Sequence, residues 1–252
     1  MLQKCTQQTT KSNQKWQNLK KAKSQTKTTN RALVKKRICI ASHQTVGGFF
    51  LDWQYENFVK EQGFTQIAGV DEAGRGPLAG PVVAASCILP FDIPGLNDSK
   101  KLTPKKRAEL YELLTTHPDI QFGIGLCTAQ EIDQINILQA SMLAMLRAIE
   151  NLDGADYLLI DGNRLPSTLL PAQAIIKGDA KSPSIAAASI IAKETRDQMM
   201  LDYHQAYPQY NFGKHKGYPT KEHISALATY GACSIHRQSF APVKAIMECI
   251  SG

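Results

Sequence analysis

Five short strand-like runs, at about 66–71, 81–89, 121–127, 157–160 and 172–176, alternate along this chain with helix-patterned segments. Runs of this length are too short for helices and suit buried strands, and their alternation with helices dictates an α/β fold. Three of the five run into a carboxylate: Asp71 and Glu72, Asp161, and Asp179. The helices between them carry their own start signals. Thr103-Pro104 opens one with Leu110, Leu113 and Leu114 at helical spacing. Thr128 and Glu131 form a T-x-x-E capping box, predicting one long helix to about Leu152 with Ile132, Ile135, Leu138, Met142, Met145 and Ile149 as a core-facing stripe. Ser182-Pro183 begins a helix of small residues to about Tyr207, and Thr220 caps another that ends at Gly231.

The carboxylates are where chemistry is expected. Asp71 and Glu72 stand side by side at the rim of an apolar strand, where an unpaired charge is costly. Each must be neutralised, either by a Lys or Arg or by a divalent cation, for which hard oxygen ligands suit Mg²⁺ or Mn²⁺. Successive strand residues point to opposite faces, so the pair can serve one site only if the strand ends or bulges there; Gly74 and Gly76 make such a departure plausible. Asp161 closes a strand before a Gly-Asn turn, as a turn residue or as part of the crevice beyond strand ends where ligands gather in open α/β sheets. Asp179, just ahead of Ser182-Pro183, also suits a plain turn. Four carboxylates at strand ends with no Cys or His cluster beside them match a site for two divalent ions on a phosphodiester. His215, His223 and His236 could assist proton transfer, although a single histidine is more often a satisfied surface or core residue.

Two turns look suited to a nucleic acid. Gly74-Arg75-Gly76 follows the acidic pair, and its bare backbone could approach a sugar or phosphate closely. Lys214-His215-Lys216-Gly217-Tyr218-Pro219 sets an aromatic ring among basic groups, either as a packed turn or as a stacking platform.

The formal charge of +7 does not describe the body of the protein. Residues 1–50 hold eleven of the 29 Lys and Arg and no acid, leaving 18 bases against 22 acids beyond them, 18 − 22 = −4. The first thirty residues offer almost nothing apolar to bury, so 1–50 reads as a basic, disordered extension and 51–252 as the catalytic domain. A transit peptide fits that extension poorly, with nine lysines against two arginines. The six cysteines are scattered without a CxxC pair, as in a reducing cytoplasm. No apolar run approaches the ~18 residues of a membrane span.

From Gly69 to Ala85 the chain reads GVDEAGRGPLAGPVVAA, a long motif that closely resembles the signature of the ribonuclease HII family. Further segments resemble that family in order: Leu96-Asn97-Asp98-Ser99-Lys100-Lys101-Leu102, Ile160-Asp161-Gly162-Asn163, Gly178-Asp179-Ala180-Lys181-Ser182, 184–193, Lys216-Gly217-Tyr218-Pro219-Thr220, and His236-Arg237 with Ser239-Phe240. The resemblance covers about 51–252. It implies an RNase H-like fold, a central mixed five-stranded sheet flanked by helices with a C-terminal helical extension. It implies an endoribonuclease that degrades the RNA strand of RNA/DNA hybrids and nicks duplex DNA 5′ to embedded ribonucleotides, leaving 5′-phosphate and 3′-hydroxyl ends. In that reading Asp71, Glu72, Asp161 and Asp179 bind Mg²⁺ or Mn²⁺ and are catalytic. Gly74, Arg75 and Gly76 sense the RNA/DNA junction, Tyr218 stacks on the sugar there, and Lys100 contacts phosphate. The expected form is a cytoplasmic monomer. Two rivals remain: another two-metal phosphoryl transferase of the resolvase or integrase kind, against which the Gly-Arg-Gly turn and Tyr218 argue, and a noncatalytic hybrid-binding module, which would not need all four carboxylates.

Overall fold

All five strand-like runs form strands of one mixed sheet, in the order β3-β2-β1-β4-β5. β1 (Ile67–Ala73), β2 (Val82–Ile88) and β3 (Gln121–Cys127) make an antiparallel meander, while β4 (Tyr157–Asp161) pairs parallel with β1 and β5 (Ala172–Ile175) parallel with β4. The structure is a computed structural model that describes residues 51–251, so the reading of 1–50 as a disordered extension falls outside the described residues.

Both faces of the sheet are buried, which is why β2 reads as an unbroken apolar run. On one face Ala85 and Cys87 pack against α2 (Pro104–Thr116) and the Ala- and Ile-rich first half of α4 (Pro183–Ala206). On the other, Val82, Ala84 and Ile88 meet α3 (Ala129–Glu150). Glycines set how closely these helices approach. A Cβ at Gly69 on β1 would lie 2.1 Å from the Ser184 carbonyl carbon of α4, and one at Gly125 on β3 would lie 2.2 Å from the Ala144 oxygen of α3.

The capping signals hold. Thr103, Ser182 and Thr220 each accept a hydrogen bond from a first-turn N–H, and Thr128 and Glu131 complete both halves of the capping box. An addition is α1 (Gln54–Glu61), whose buried Glu56 accepts from the Ser182 hydroxyl at 2.6 Å and the Ser184 N–H at 3.1 Å. It thus places a carboxyl acceptor at the N-terminus of α4.

Two expectations need correction. The single long helix is broken at Asn136 (φ 64°, ψ 164°), whose side chain accepts from the Leu138 and Gln139 N–H groups and re-caps the second part. Ala140, Ala144 and Ala148 therefore share the sheet-facing side with Ile132, Met145 and Ile149, because the glycines of β3 draw the helix too close for large side chains everywhere. β5, expected to be buried, is the sheet edge: of its residues only Ile175 is buried, and Ile176 just beyond is 63% exposed.

After α4 the chain forms the expected C-terminal helical extension, with α5 (Phe212–His215), α6 (Lys221–Tyr230) and α7 (Ala241–Ser251). No helix of the described residues is long and apolar enough to cross a membrane.

Candidate active site

β1 does not bulge at its acidic pair. Asp71, Glu72 and Ala73 continue the antiparallel register opposite Ala85, Ala84 and Val83. What ends there is the pairing on the other side, since β4 leaves β1 after Val70–Ile160 and a cleft opens between them. Asp71 accepts from the N–H of the next residue, Glu72, at 2.7 Å, and both residues line the same cleft despite their opposite strand parity.

Asp71 is only 4% exposed and, like Asp161, has no ion-pair partner among the described residues. Burial first, then repulsion from Glu72 and Asp161, holds the Asp71 carboxyl well above the usual carboxylate range, against a hydrogen bond from the Ser189 hydroxyl. The Ser99 and Ser189 hydroxyls lie 2.8 Å apart, and Ser189 stands beside Asp71. Burial and Asp161 also push Glu72 up, against the Arg75 guanidinium 3.3 Å away.

Asp161 closes β4 and accepts from the Gly178 N–H at 2.6 Å, which ties it to the tight turn of Gly178–Ala180 that carries Asp179. Asp179 is pushed up by burial and then by Asp161 and Asp98, opposed by Lys100, whose Nζ stands 3.8 Å away. Burial alone would lower Lys100, but Asp179, Asp71, Asp98 and Asp161 together raise it.

Asp71, Glu72, Asp161, Gly74, Arg75, Gly76, Lys100 and Tyr218 thus share one cleft. Asp179 is not on its wall and joins it through Lys100 and Asp161. The carboxylates are splayed: among the described residues no three His, Cys, Asp or Glu form a ready ligand set. Each holds a donor within the protein: Asp71 the Glu72 N–H, Glu72 the Arg75 guanidinium, Asp161 the Gly178 N–H and Asp179 the Lys100 ammonium. Asp71 and Asp161, which have no ion-pair partner among the described residues, together with Glu72 and Asp179 beside them offer only hard oxygen donors, a set that fits divalent cations.

Four polar lining residues were not singled out from sequence. Ser99 belongs to the Asn-Asp-Ser-Lys segment, and Ser189, Lys193 and Arg196 project from α4. Their spacing of four and three places them on one side of α4, a stripe running out of its Ala- and Ile-rich first half that periodicity could have revealed. The three histidines, in contrast, do not line the cleft.

Two buried arginines hold the Gly-Arg-Gly turn and the turn that carries Tyr218. Arg237 donates to the carbonyls of Gly80 (3.0 Å), Arg75 (2.9 Å) and Gly74 (2.5 Å). Arg196 donates to those of Pro81 (3.0 Å), Lys216 (3.0 Å) and Ala79 (3.1 Å). Burial pulls Arg237 down to about 9 and Arg196 to about 10, and among the described residues neither has an ion-pair partner. Gly74 is required twice, by its φ of 96° and because a Cβ there would lie 2.1 Å from the Arg196 Nε. The Leu78 N–H donates to the Gly217 carbonyl at 2.8 Å, which joins the Gly-Arg-Gly turn to the turn carrying Tyr218. Lysine cannot reproduce the guanidinium fork, so Arg237→Lys is expected to cost about 2 kcal/mol and to raise KM, read by thermal melting and by cleavage kinetics.

Residues 68–243 match the family model described as ribonuclease HII. The chain belongs to that family. It is 55% identical over 196 residues to the ribonuclease HII of Chlamydia caviae, covering 77% of this chain and 92% of that protein. It is 58% identical over 198 residues to that of Bacillus pumilus, covering 77% of each. The ribonuclease H2 structure from Pyrococcus horikoshii superposes with a TM-score of 0.60 at 28% identity, covering 74% of this chain and 99% of that one. As a ribonuclease HII the chain is a metal-dependent endoribonuclease, a ribonuclease H that acts on RNA/DNA hybrids.

Proposed function

We propose that Asp71, Glu72, Asp161 and Asp179 hold two divalent ions, Mg²⁺ or Mn²⁺, and that the cleft nicks duplex DNA on the 5′ side of an embedded ribonucleotide as well as cutting longer hybrids. The observation that carries this reading is Asp71, raised by its burial and by two neighbouring carboxylates and without an ion-pair partner among the described residues. Bound there, divalent ions would activate the attacking water and stabilise the leaving oxygen.

The chain's own groups supply position and selectivity. Water adds to phosphorus as the bond to the upstream 3′-oxygen breaks, leaving a 3′-hydroxyl and a 5′-phosphate on the ribonucleotide. The Gly74-Arg75-Gly76 backbone, held by Arg237, faces the cleft where a 2′-hydroxyl can be sensed at hydrogen-bond range. Tyr218, 45% exposed and lying close to Gly76, offers its ring to the sugar, and the 78% exposed Lys100 side chain is available to a phosphate. We take the working form to be a cytoplasmic monomer whose catalytic domain is 51–252; the buried free thiols of Cys87 and Cys127 fit a reducing compartment.

A labelled duplex with one ribonucleotide should be nicked 5′ to it with Mg²⁺ or Mn²⁺ and left intact with EDTA or when all-DNA. Equal cutting of the all-DNA duplex would instead support a resolvase-like activity.

A further inference from the structure

His215, His223 and His236 are 7%, 0% and 2% exposed and pack beside the turn that carries Tyr218. Their hydrogen bonds run in one direction only. The Cys233 backbone N–H donates to His236 Nδ1 at 2.9 Å, so that nitrogen is bare and the His236 proton is on Nε2. His236 Nε2 lies 3.0 Å from His223 Nε2, which must therefore accept, leaving the His223 proton on Nδ1. His223 Nδ1 is 2.9 Å from the Tyr218 carbonyl, a group that can only accept. Read from the carbonyl end, the same assignment follows, so both termini of the chain demand one set of neutral tautomers.

The rings are locked in place. His215 stacks on His223 with centroids 4.5 Å apart and an 18° tilt, and Phe212 stands edge-on to both. His215 itself accepts from the Gly217 N–H at 3.2 Å and donates to the Tyr210 carbonyl at 2.6 Å. The titratable groups facing the relay are Cys233, Tyr210 and the histidines themselves, while Lys214 and Glu222 on the adjoining helices pair with each other at 2.9 Å. Burial pushes His223 down and His236 down to about 4, so both rings are neutral at pH 7. The Tyr218 hydroxyl makes no hydrogen bond among the described residues, so the placement of this exposed ring rests on its backbone.

We propose that His223, held in its Nδ1–H tautomer by His236, is a positioning residue for substrate selectivity: it anchors the Tyr218 carbonyl and so sets the Tyr218 ring over the cleft. The inference rests on the reading of Tyr218 as a substrate contact and adds to it the device that aims the ring.

Two measurements test it. In a long-range ¹H–¹⁵N spectrum of the full chain at neutral pH, His223 should carry its proton on Nδ1 and His236 on Nε2. A His223 proton on Nε2, or a charged ring, overturns the relay even if every variant fails to fold. In kinetics on the single-ribonucleotide duplex, His223→Gln leaves the Tyr218 carbonyl with only the Thr220 N–H and should raise KM roughly three- to tenfold, the range of one net hydrogen bond, with the loss falling on KM rather than kcat. His223→Asn keeps a donor near the Nδ1 position and should recover most of that loss. Equal KM values for His223→Gln and the parent refute the proposal. Tyr218→Ala separates the two layers: if it cuts like the parent, the reading of Tyr218 fails, and if it is impaired while His223→Gln is not, the relay alone fails.

Discussion

An Asp71→Asn variant is expected to lose turnover by at least ~10³-fold and to melt at a higher temperature than the parent in EDTA. The loss follows from removing a carboxylate at the centre of the proposed cation site. The gain follows from the direction of the Asp71 shift. Burial, Glu72 and Asp161 raise its folded-state pKa, so the fold binds that proton more tightly than the unfolded chain does. Stability from this group is therefore present at low pH and is lost as pH rises from the ordinary carboxylate range through the raised value. At neutral pH the charge works against the fold, and asparagine relieves it; in strong acid, where both states are protonated, the advantage disappears. Each kcal/mol recovered is worth roughly 2–4 °C in a domain of this size. Melting curves from about pH 4 to about pH 8, with single-turnover cleavage and hybrid binding in Ca²⁺, test both halves. Unchanged cleavage sinks the site assignment, and a lower melting point at neutral pH sinks the electrostatic account.

Gly69→Ala should be the most damaging small substitution in the core. A methyl at this position would come within 2.2 Å of the Ile185 nitrogen and 2.3 Å of the Ser184 oxygen, both backbone atoms of α4 that no rotamer change can move aside. Overpacking of this kind costs about 3 kcal/mol or more, a fall in melting temperature on the order of 10 °C. The contact also matters for chemistry. Asp71 is two residues beyond Gly69 on β1, and Ser189 is one turn beyond Ile185 on α4, so the close crossing brings that hydroxyl to the carboxylate. Surviving Gly69→Ala protein should therefore be slower as well as less stable, and a melt like the parent's would refute the tight crossing.

The sheet and its start signals were legible in the linear order because they depend on neighbours a few residues apart. Short apolar runs mark the strands, and Thr103, Thr128 with Glu131, Ser182 and Thr220 mark helix starts. The acidic residues were legible for the same reason, since Asp71, Glu72, Asp161 and Asp179 stand where apolar runs end, and the motifs around them carry the family resemblance. The Asn136 break was not, because the apolar stripe runs on across it and the only local signal is one Asn, whose side chain re-caps the helix at Leu138 and Gln139. Nor was the edge position of β5, whose apolar composition is that of a buried strand.

Local pattern thus settles which segments become strands and helices and where the carboxylates emerge. Only chain closure decides which cations and histidines leave the solvent. Arg237 and Arg196 look in the sequence like any other basic residues, and they become structural because carbonyls 163 and 115 positions away, at Gly74 and Pro81, converge on them. A buried guanidinium is stable only where several acceptors meet it at once, and that convergence is a property of the folded chain, not of any window along it.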